Sequence, residues 1–154
     1  MSPFSMDNPV FVSYVIAACL MVLKILGQGW VTVYRMMSSD SGLINPEDLK
    51  PGPANRNPRP DQLEINDYVD RSRRVQRNDL ENIPAFLACG LIFVAVGPTL
   101  VLANIFFVVF VLARLAHTWA YMTSQRHETR ATFYTIGSVI TIIMAIYALA
   151  AALF

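Results

Sequence analysis

Apolar and polar positions along the chain separate into long blocks. Residues 10–34 form an apolar run broken only by Lys24 and some neutral polar residues, and Asn8–Pro9 bounds it on the N-terminal side. A second run, 83–96, closes at Gly97–Pro98, a strong turn signal. A third, 99–113, continues beyond Arg114 as "LAHTWAYM". The fourth, 131–154, has 24 residues without a charge. At about 1.5 Å per residue it measures roughly 36 Å, enough for a hydrocarbon core of about 30 Å. The pattern predicts helices over about 10–35, 63–96, 99–123 and 131–153, with the second and third joined as a tight antiparallel hairpin. The fold class expected is all-α, an integral membrane four-helix bundle made by one domain over residues 1–154.

Composition agrees with that class: the chain is 55% hydrophobic with a mean hydropathy of +0.44. The net charge of +1 gives no global basic field, so nucleic acid is not an expected partner. Charge placement says more. Of 12 Lys and Arg, seven lie from Arg35 to Arg74, Arg77 follows, and Arg126 and Arg130 precede the fourth run. The N-terminal tail, the Gly97–Pro98 turn and the C-terminus carry none. The positive-inside rule then puts the first and third loops in the cytosol and both termini on the lumenal side. The first loop contains "PGPANRNPRP", which cannot be helical, and the Pro-rich loop is expected over 49–62. The N-terminus lacks a basic region followed by a short apolar core, so the first span is expected to be retained. Cys19 and Cys89, both in apolar runs, are expected as buried thiols.

The second run raises a question of chemistry. Its 14 uncharged residues make about 21 Å of helix, too short to cross a bilayer alone. The helix must draw part of "RRVQRNDLEN" toward membrane depth. Arg74, Arg77, Asn78 and Glu81 share the i, i+3, i+4, i+7 spacing of one face. Arg114, His117 and Tyr121 share another on the third helix, and Arg130 and Tyr134 stand one turn apart before and within the fourth. Ionisable groups at this depth cost a few kcal/mol each and are expected to face the bundle interior or a watery cavity. Converging at the cytosolic end, they predict a cationic pocket with amide and phenol groups, suited to a small, flexible, multiply charged anion. A lipophilic second substrate has access from the membrane.

Plainer readings stand beside this one. Arg73 and Arg74 fit headgroup anchors. Arg77 and Glu81, at i and i+4, fit a structural pair of a few tenths of a kcal/mol. A lone His117 fits a satisfied core histidine, and Tyr121 an interfacial aromatic. Arg114 needs a carboxylate partner, with Glu81 or Asp79 nearest in register. Lys24 fits either a snorkelling side chain or an interface residue. The residues alone lead to an anionic-ligand site in a membrane bundle.

"NPED" (45–48), "RNDLENI" (77–83), "GP" (97–98), "ARLAHTWAY" (113–121) and "RATFYT" (130–135) follow one another in the order and spacing of a known family. The chain resembles the membrane-associated proteins in eicosanoid and glutathione metabolism (MAPEG), in both the microsomal glutathione transferase and the microsomal prostaglandin E synthase branches. The resemblance covers essentially the whole chain. It implies a homotrimer in the endoplasmic reticulum (microsomal) membrane, multi-pass, with glutathione bound at subunit interfaces facing the cytosol, and no metal. The glutathione-binding set it implies is Arg35, Arg74, Arg77, Asn78, Glu81, His117, Tyr121, Arg130 and Tyr134. Arg130 stands at the family's catalytic position, beside the glutathione thiolate. Asp48 matches an aspartate implicated in prostaglandin isomerisation.

A free thiol has a pKa of about 8.5, and an adjacent guanidinium favours the thiolate, which is the nucleophile. Arginine suits this role because it stays charged when partly desolvated. Ala131 and "NDLENI" look like the transferase branch; Tyr134 and "RND" look like the synthase. The expectation is conjugation of glutathione to lipophilic electrophiles, with prostaglandin H2 to E2 isomerisation as the alternative. A non-enzymatic lipid-binding membrane protein is the more distant rival, and the retained Arg77, Asn78, Glu81 and Arg130 argue against it.

Overall fold

The computed structural model describes residues 2–154. Among them, four helices are long and apolar enough to cross a membrane: α1 (Pro9–Ser39), α2 (Asp67–Ala95), α3 (Leu100–Met122) and α4 (His127–Leu153). With no strand among the described residues, the chain is all-helical, in the manner of a multi-pass membrane protein. Two helices outrun the apolar pattern. α1 continues past residue 35 to Ser39, and α4 starts at His127, so Arg130 lies inside the helix rather than ahead of it. In both cases hydrogen-bonded backbone carries helix beyond the point where the sequence turns polar.

Local signals set the ends. Asn8 accepts from the Val10 amide and Pro9 occupies the first turn of α1, where its missing N–H costs nothing. Asp40, left-handed at φ 46°, ends α1. Asn66 caps α2 through the amides of Tyr68 and Val69, and its own amide donates to Ser41. Gly97, at φ +68°, supplies the left-handed residue of the α2–α3 turn, and Thr99 caps α3.

α2 and α3 form the central pair. α1 packs on both from one flank and α4 on both from the other, and α1 and α4 share no contact face. On α1 the buried positions Val10, Tyr14, Ala17, Met21, Gln28 and Thr32 recur at steps of three, four and seven, the period of an interlocking helix seam. The half of the core nearer the Gly97–Pro98 turn is aromatic. Phe86 stacks on Phe110 at 3.8 Å between centroids, and Phe93, Phe107 and Tyr14 meet around them. Gly90 lets α1 approach: a Cβ there would lie 2.7 Å from Tyr14 Cε2.

Toward the opposite end the core becomes ionic. Arg114 Nη2 donates to Asp79 Oδ1 at 2.7 Å, and the Lys24 ammonium pairs with the other oxygen of the same carboxylate. Both Asp79 and Arg114 are fully buried. Lys24 takes a place on the α1 seam between Met21 and Gln28, which directs it inward.

The first loop is held by its own polar network. Arg59 and Gln62 donate to the two oxygens of Asp40, Asn55 donates to Gln62, and Arg73 on α2 donates to the Gly42 carbonyl. Short 3-10 turns occupy Pro46–Leu49 and Pro60–Leu63.

Candidate functional site

α2 has two chemically distinct faces. Val75, Asp79, Asn82, Ile83 and Phe86 turn inward, and this choice fixes the rest. Residues two apart on a helix point about 200° apart, so an inward Asp79 requires an outward Glu81. Arg77 and Glu81 are exposed, and Arg74 and Asn78 are half-buried. The polar face therefore lies on the outside of the chain beside α3 and α4. Of the two surroundings expected for these groups, the bundle interior or a watery cavity, the first does not hold for Arg77 and Glu81, and the cause is the competing demand of Asp79 for the core.

Around this face, side chains from three helices meet. Asn78 donates to the Arg74 carbonyl at 2.6 Å and reaches Tyr121 Oη at 3.5 Å. Tyr134 Oη donates to Glu81 Oε2 at 3.2 Å, linking α4 to α2. The Arg130 guanidinium lies over the Tyr121 ring, 4.6 Å from its centroid. The His117 ring sits 5.0 Å from the Tyr121 ring and 6.2 Å from that of Tyr134. Asn78, Glu81, His117, Tyr121, Arg130 and Tyr134 thus form one cluster. It combines one guanidinium, two phenols, an imidazole, an amide and one carboxylate.

Two arginines in or beside the cluster are free to take an anion. Arg77 makes no ion pair among the described residues, so the i, i+4 pair with Glu81 does not form. Arg130 has a buried Nε without a partner. A buried donor of this kind is a standing demand for an acceptor. Arg74 is differently placed: it bridges Asp67 and Asp70, each at 2.6 Å, so its charge is already answered.

Two further residues stand apart. Arg35 donates to the Tyr68 carbonyl at 2.7 Å and stacks over the Tyr68 ring at 4.2 Å, on the α1 flank. Asp48 accepts from Asn45 at 3.3 Å within the first 3-10 turn. It lines a cavity of about 470 Å³ between Met36, Met37 and Asp40 at the end of α1 and Leu43, Pro53 and Asn55 of the loop. Neither touches Arg130 within the chain.

Arg114 meets one of the two carboxylates expected for it, and three further contacts around the site are not readable from motif spacing. Arg114 selects Asp79 rather than Glu81 and also lies 3.2 Å from His117 Nδ1. Arg71 reaches the Tyr121 carbonyl at 3.5 Å. Ser138 donates to Asn82 Oδ1 at 2.9 Å. The choice of Asp79 over Glu81 has its signal in the chain, since Asp79 keeps register with the buried Val75, Asn82 and Phe86.

Comparison of the sequence with known proteins identifies a family. The MAPEG family model matches residues 14–150. The chain is 34% identical over 140 residues to microsomal glutathione S-transferase 1 of Rattus norvegicus, spanning 91% of this chain and 89% of that protein. The Homo sapiens protein of the same name gives the same identity and coverage. Prostaglandin E synthase of Homo sapiens is 30% identical over 132 residues, 86% of this chain and 83% of that protein. With the family model matched across nearly all of its length, the chain belongs to the MAPEG family.

Proposed function

We propose that the chain is a glutathione-dependent membrane enzyme that conjugates glutathione to lipophilic electrophiles entering from the bilayer. The observation that carries this reading is Arg130, stacked on Tyr121 with a buried, unpartnered Nε. Glutathione has two carboxylates, one ammonium group and a thiol. The residue set fits it: Arg77 and Arg130 suit the anionic groups, Glu81 the ammonium, and Asn78, Tyr121, Tyr134 and His117 supply neutral hydrogen bonds. When bound, glutathione supplies a sulfur nucleophile. The chain's part is to hold that sulfur deprotonated beside a guanidinium, which stays charged in a partly dry site.

The outward position of the polar face supports a homotrimer. Arg77 and Glu81 at membrane depth are costly facing lipid, and a neighbouring copy would cover them. The two flanks differ, with Arg35 and Asp48 on the α1 side and Arg130 on the α4 side. A head-to-tail ring sets one copy's α1 flank against the next copy's α4 flank and brings these residues to one interface. In this arrangement Arg35 and Arg74 belong to the binding set, and Asp48 is a catalytic group contributed across the interface. The basic residues of the first and third loops favour a site facing the cytosol, and the likeness to microsomal glutathione S-transferase 1 favours the endoplasmic reticulum membrane.

A second reading is isomerisation of prostaglandin H2 to prostaglandin E2, favoured by the Tyr134–Glu81 contact beside Arg130 and by the likeness to prostaglandin E synthase. The test is the purified protein assayed with glutathione against a halonitrobenzene and prostaglandin H2. The first reading expects conjugation that disappears in Arg130→Ala while the oligomer still assembles. Unchanged turnover in that variant overturns the assignment of Arg130. Strong isomerisation with negligible conjugation reverses the two readings. Absence of glutathione binding by calorimetry removes both and favours a lipid-binding protein.

A further inference from the structure

Beneath the outward cluster, Lys24, Asp79 and Arg114 form a buried chain of charges that runs from α1 through α2 to α3 and ends at His117. Each Asp79 oxygen has one cation: Oδ1 accepts from Arg114 and Oδ2 from Lys24. Arg114 Nη2 carries two hydrogens. One goes to Asp79 at 2.7 Å, and the other faces His117 Nδ1 at 3.2 Å.

A guanidinium has five donors and no acceptor. At its contact with Arg114, the histidine nitrogen must therefore be the acceptor. A neutral imidazole with a lone pair on Nδ1 carries its single proton on Nε2. The other tautomer, or an imidazolium, would set an N–H of the ring against an N–H of Arg114. The ring is almost fully enclosed, at 1% exposure, so no water relieves such a clash.

We propose that Arg114 is a positioning residue that holds His117 as the Nε2–H tautomer, with Asp79 and Lys24 fixing Arg114 in turn. His117 is then a hydrogen-bond donor to the ligand rather than a general base. Nδ1 is committed to Arg114, and Nε2, on the far edge of the ring, is left for a carboxylate or amide oxygen. That this oxygen belongs to glutathione rests on the function proposed above; the tautomer does not.

His127 is the other histidine of the chain and lies exposed in the first turn of α4. His127→Gln thus leaves His117 as the sole imidazole. Nitrogen NMR of this variant, labelled with 15N-histidine in lipid nanodiscs, is expected to show an unprotonated Nδ1 and a protonated Nε2, with and without glutathione. Arg114→Met on the same background keeps Lys24 and Asp79 as a balanced pair. It is expected to give a mixture of tautomers and to weaken glutathione binding about tenfold, the loss of one well-set hydrogen bond to a charged group. Arg114→Lys, which retains a donor, is expected to restore the Nε2–H form. An Nδ1–H or doubly protonated ring in the His127→Gln protein overturns the proposal. So does a folded Arg114→Met protein that keeps the pure Nε2–H form. If Arg114→Met does not fold, the His127→Gln spectrum decides alone. A protein that shows the tautomer and binds no glutathione keeps Arg114 as the positioning residue and removes only the identity of the acceptor.

Discussion

Asp79→Asn is the most informative single change in the core. Among the described residues, Asp79 is the only carboxylate paired with Lys24 and Arg114, and its side chain is wholly buried. Losing its charge strands two cations from two different helices. Removing one partner of a buried ion pair costs about 3–5 kcal/mol, chiefly because the remaining charge is left uncompensated. At about 2–4 °C per kcal/mol for a chain of this size, a loss near 4 kcal/mol lowers the melting temperature by roughly 8–16 °C.

Lys24→Met makes the contrast. It leaves Asp79 and Arg114 as a one-to-one pair and keeps an unbranched side chain on the α1 seam. Its expected cost is within about 1 kcal/mol, a shift of no more than about 4 °C. The double variant strands one cation instead of two and is expected to melt between the two singles. Trp30 on α1 and Trp119 on α3 provide fluorescence reporters for thermal unfolding in detergent. If Lys24→Met proves as damaging as Asp79→Asn, or Asp79→Asn melts with the parent protein, the charge-counting argument is wrong.

Other outcomes follow from the same geometry. Gly90→Ala gains about 1 kcal/mol of helix propensity but drives a methyl group to 2.7 Å from a Tyr14 ring already tied to the Leu87 carbonyl, an overpacking cost of about 1–3 kcal/mol. A net loss of melting temperature is expected, recovered when Tyr14→Leu is added. Arg77→Gln is expected to weaken glutathione binding roughly tenfold, and Arg74→Gln less than about threefold, because Asp67 and Asp70 already hold Arg74; equal losses by calorimetry would contradict the assignment of Arg77 as the freer cation. In the loop, hydrogen bonds from Arg59 and then Gln62 hold the Asp40 carboxyl below the ordinary carboxylate range. Its contribution is complete above about pH 4 and is lost as pH falls through the lower folded-state value. Amide exchange across 40–62 should therefore speed up on acidification beyond its intrinsic pH dependence, and Asp40→Asn should remove that excess.

Much of this molecule is legible along the chain, for reasons that differ by region. Four spans follow from block hydropathy, because a bilayer imposes length and apolarity on each helix separately. The hairpin follows from Gly97–Pro98, because a left-handed residue is a local requirement. The polar cluster follows from helical spacing, since Asn78, Glu81, His117, Tyr121, Arg130 and Tyr134 sit at turn-compatible positions. Its direction does not follow. Spacing places Arg74, Arg77, Asn78 and Glu81 on one face but is silent on whether that face turns in or out. The answer comes from Lys24 and Arg114, which compete for the one carboxylate that suits the core, and Asp79 keeps register with Val75, Ile83 and Phe86. Only family likeness joins Arg35 and Asp48 to the site, and no helical period links them to Arg130. The left-handed Asp40 and its clamp by Arg59 and Gln62 depend on contacts about twenty residues apart, beyond the reach of local patterns.

The Asp79–Arg114 contact also bears on how the protein enters its membrane. α2 emerges from the ribosome first, with a short apolar half and a carboxylate at a position that lipid resists by about 2.5–3.5 kcal/mol. α3 carries the matching cation and follows after a turn of only a few residues around Gly97. Neither helix is a good integration substrate alone, whereas the closed hairpin presents a neutralised pair. Biogenesis is therefore expected to proceed with α2 waiting at the translocon for α3, the two partitioning into lipid as one unit between the independently competent α1 and α4.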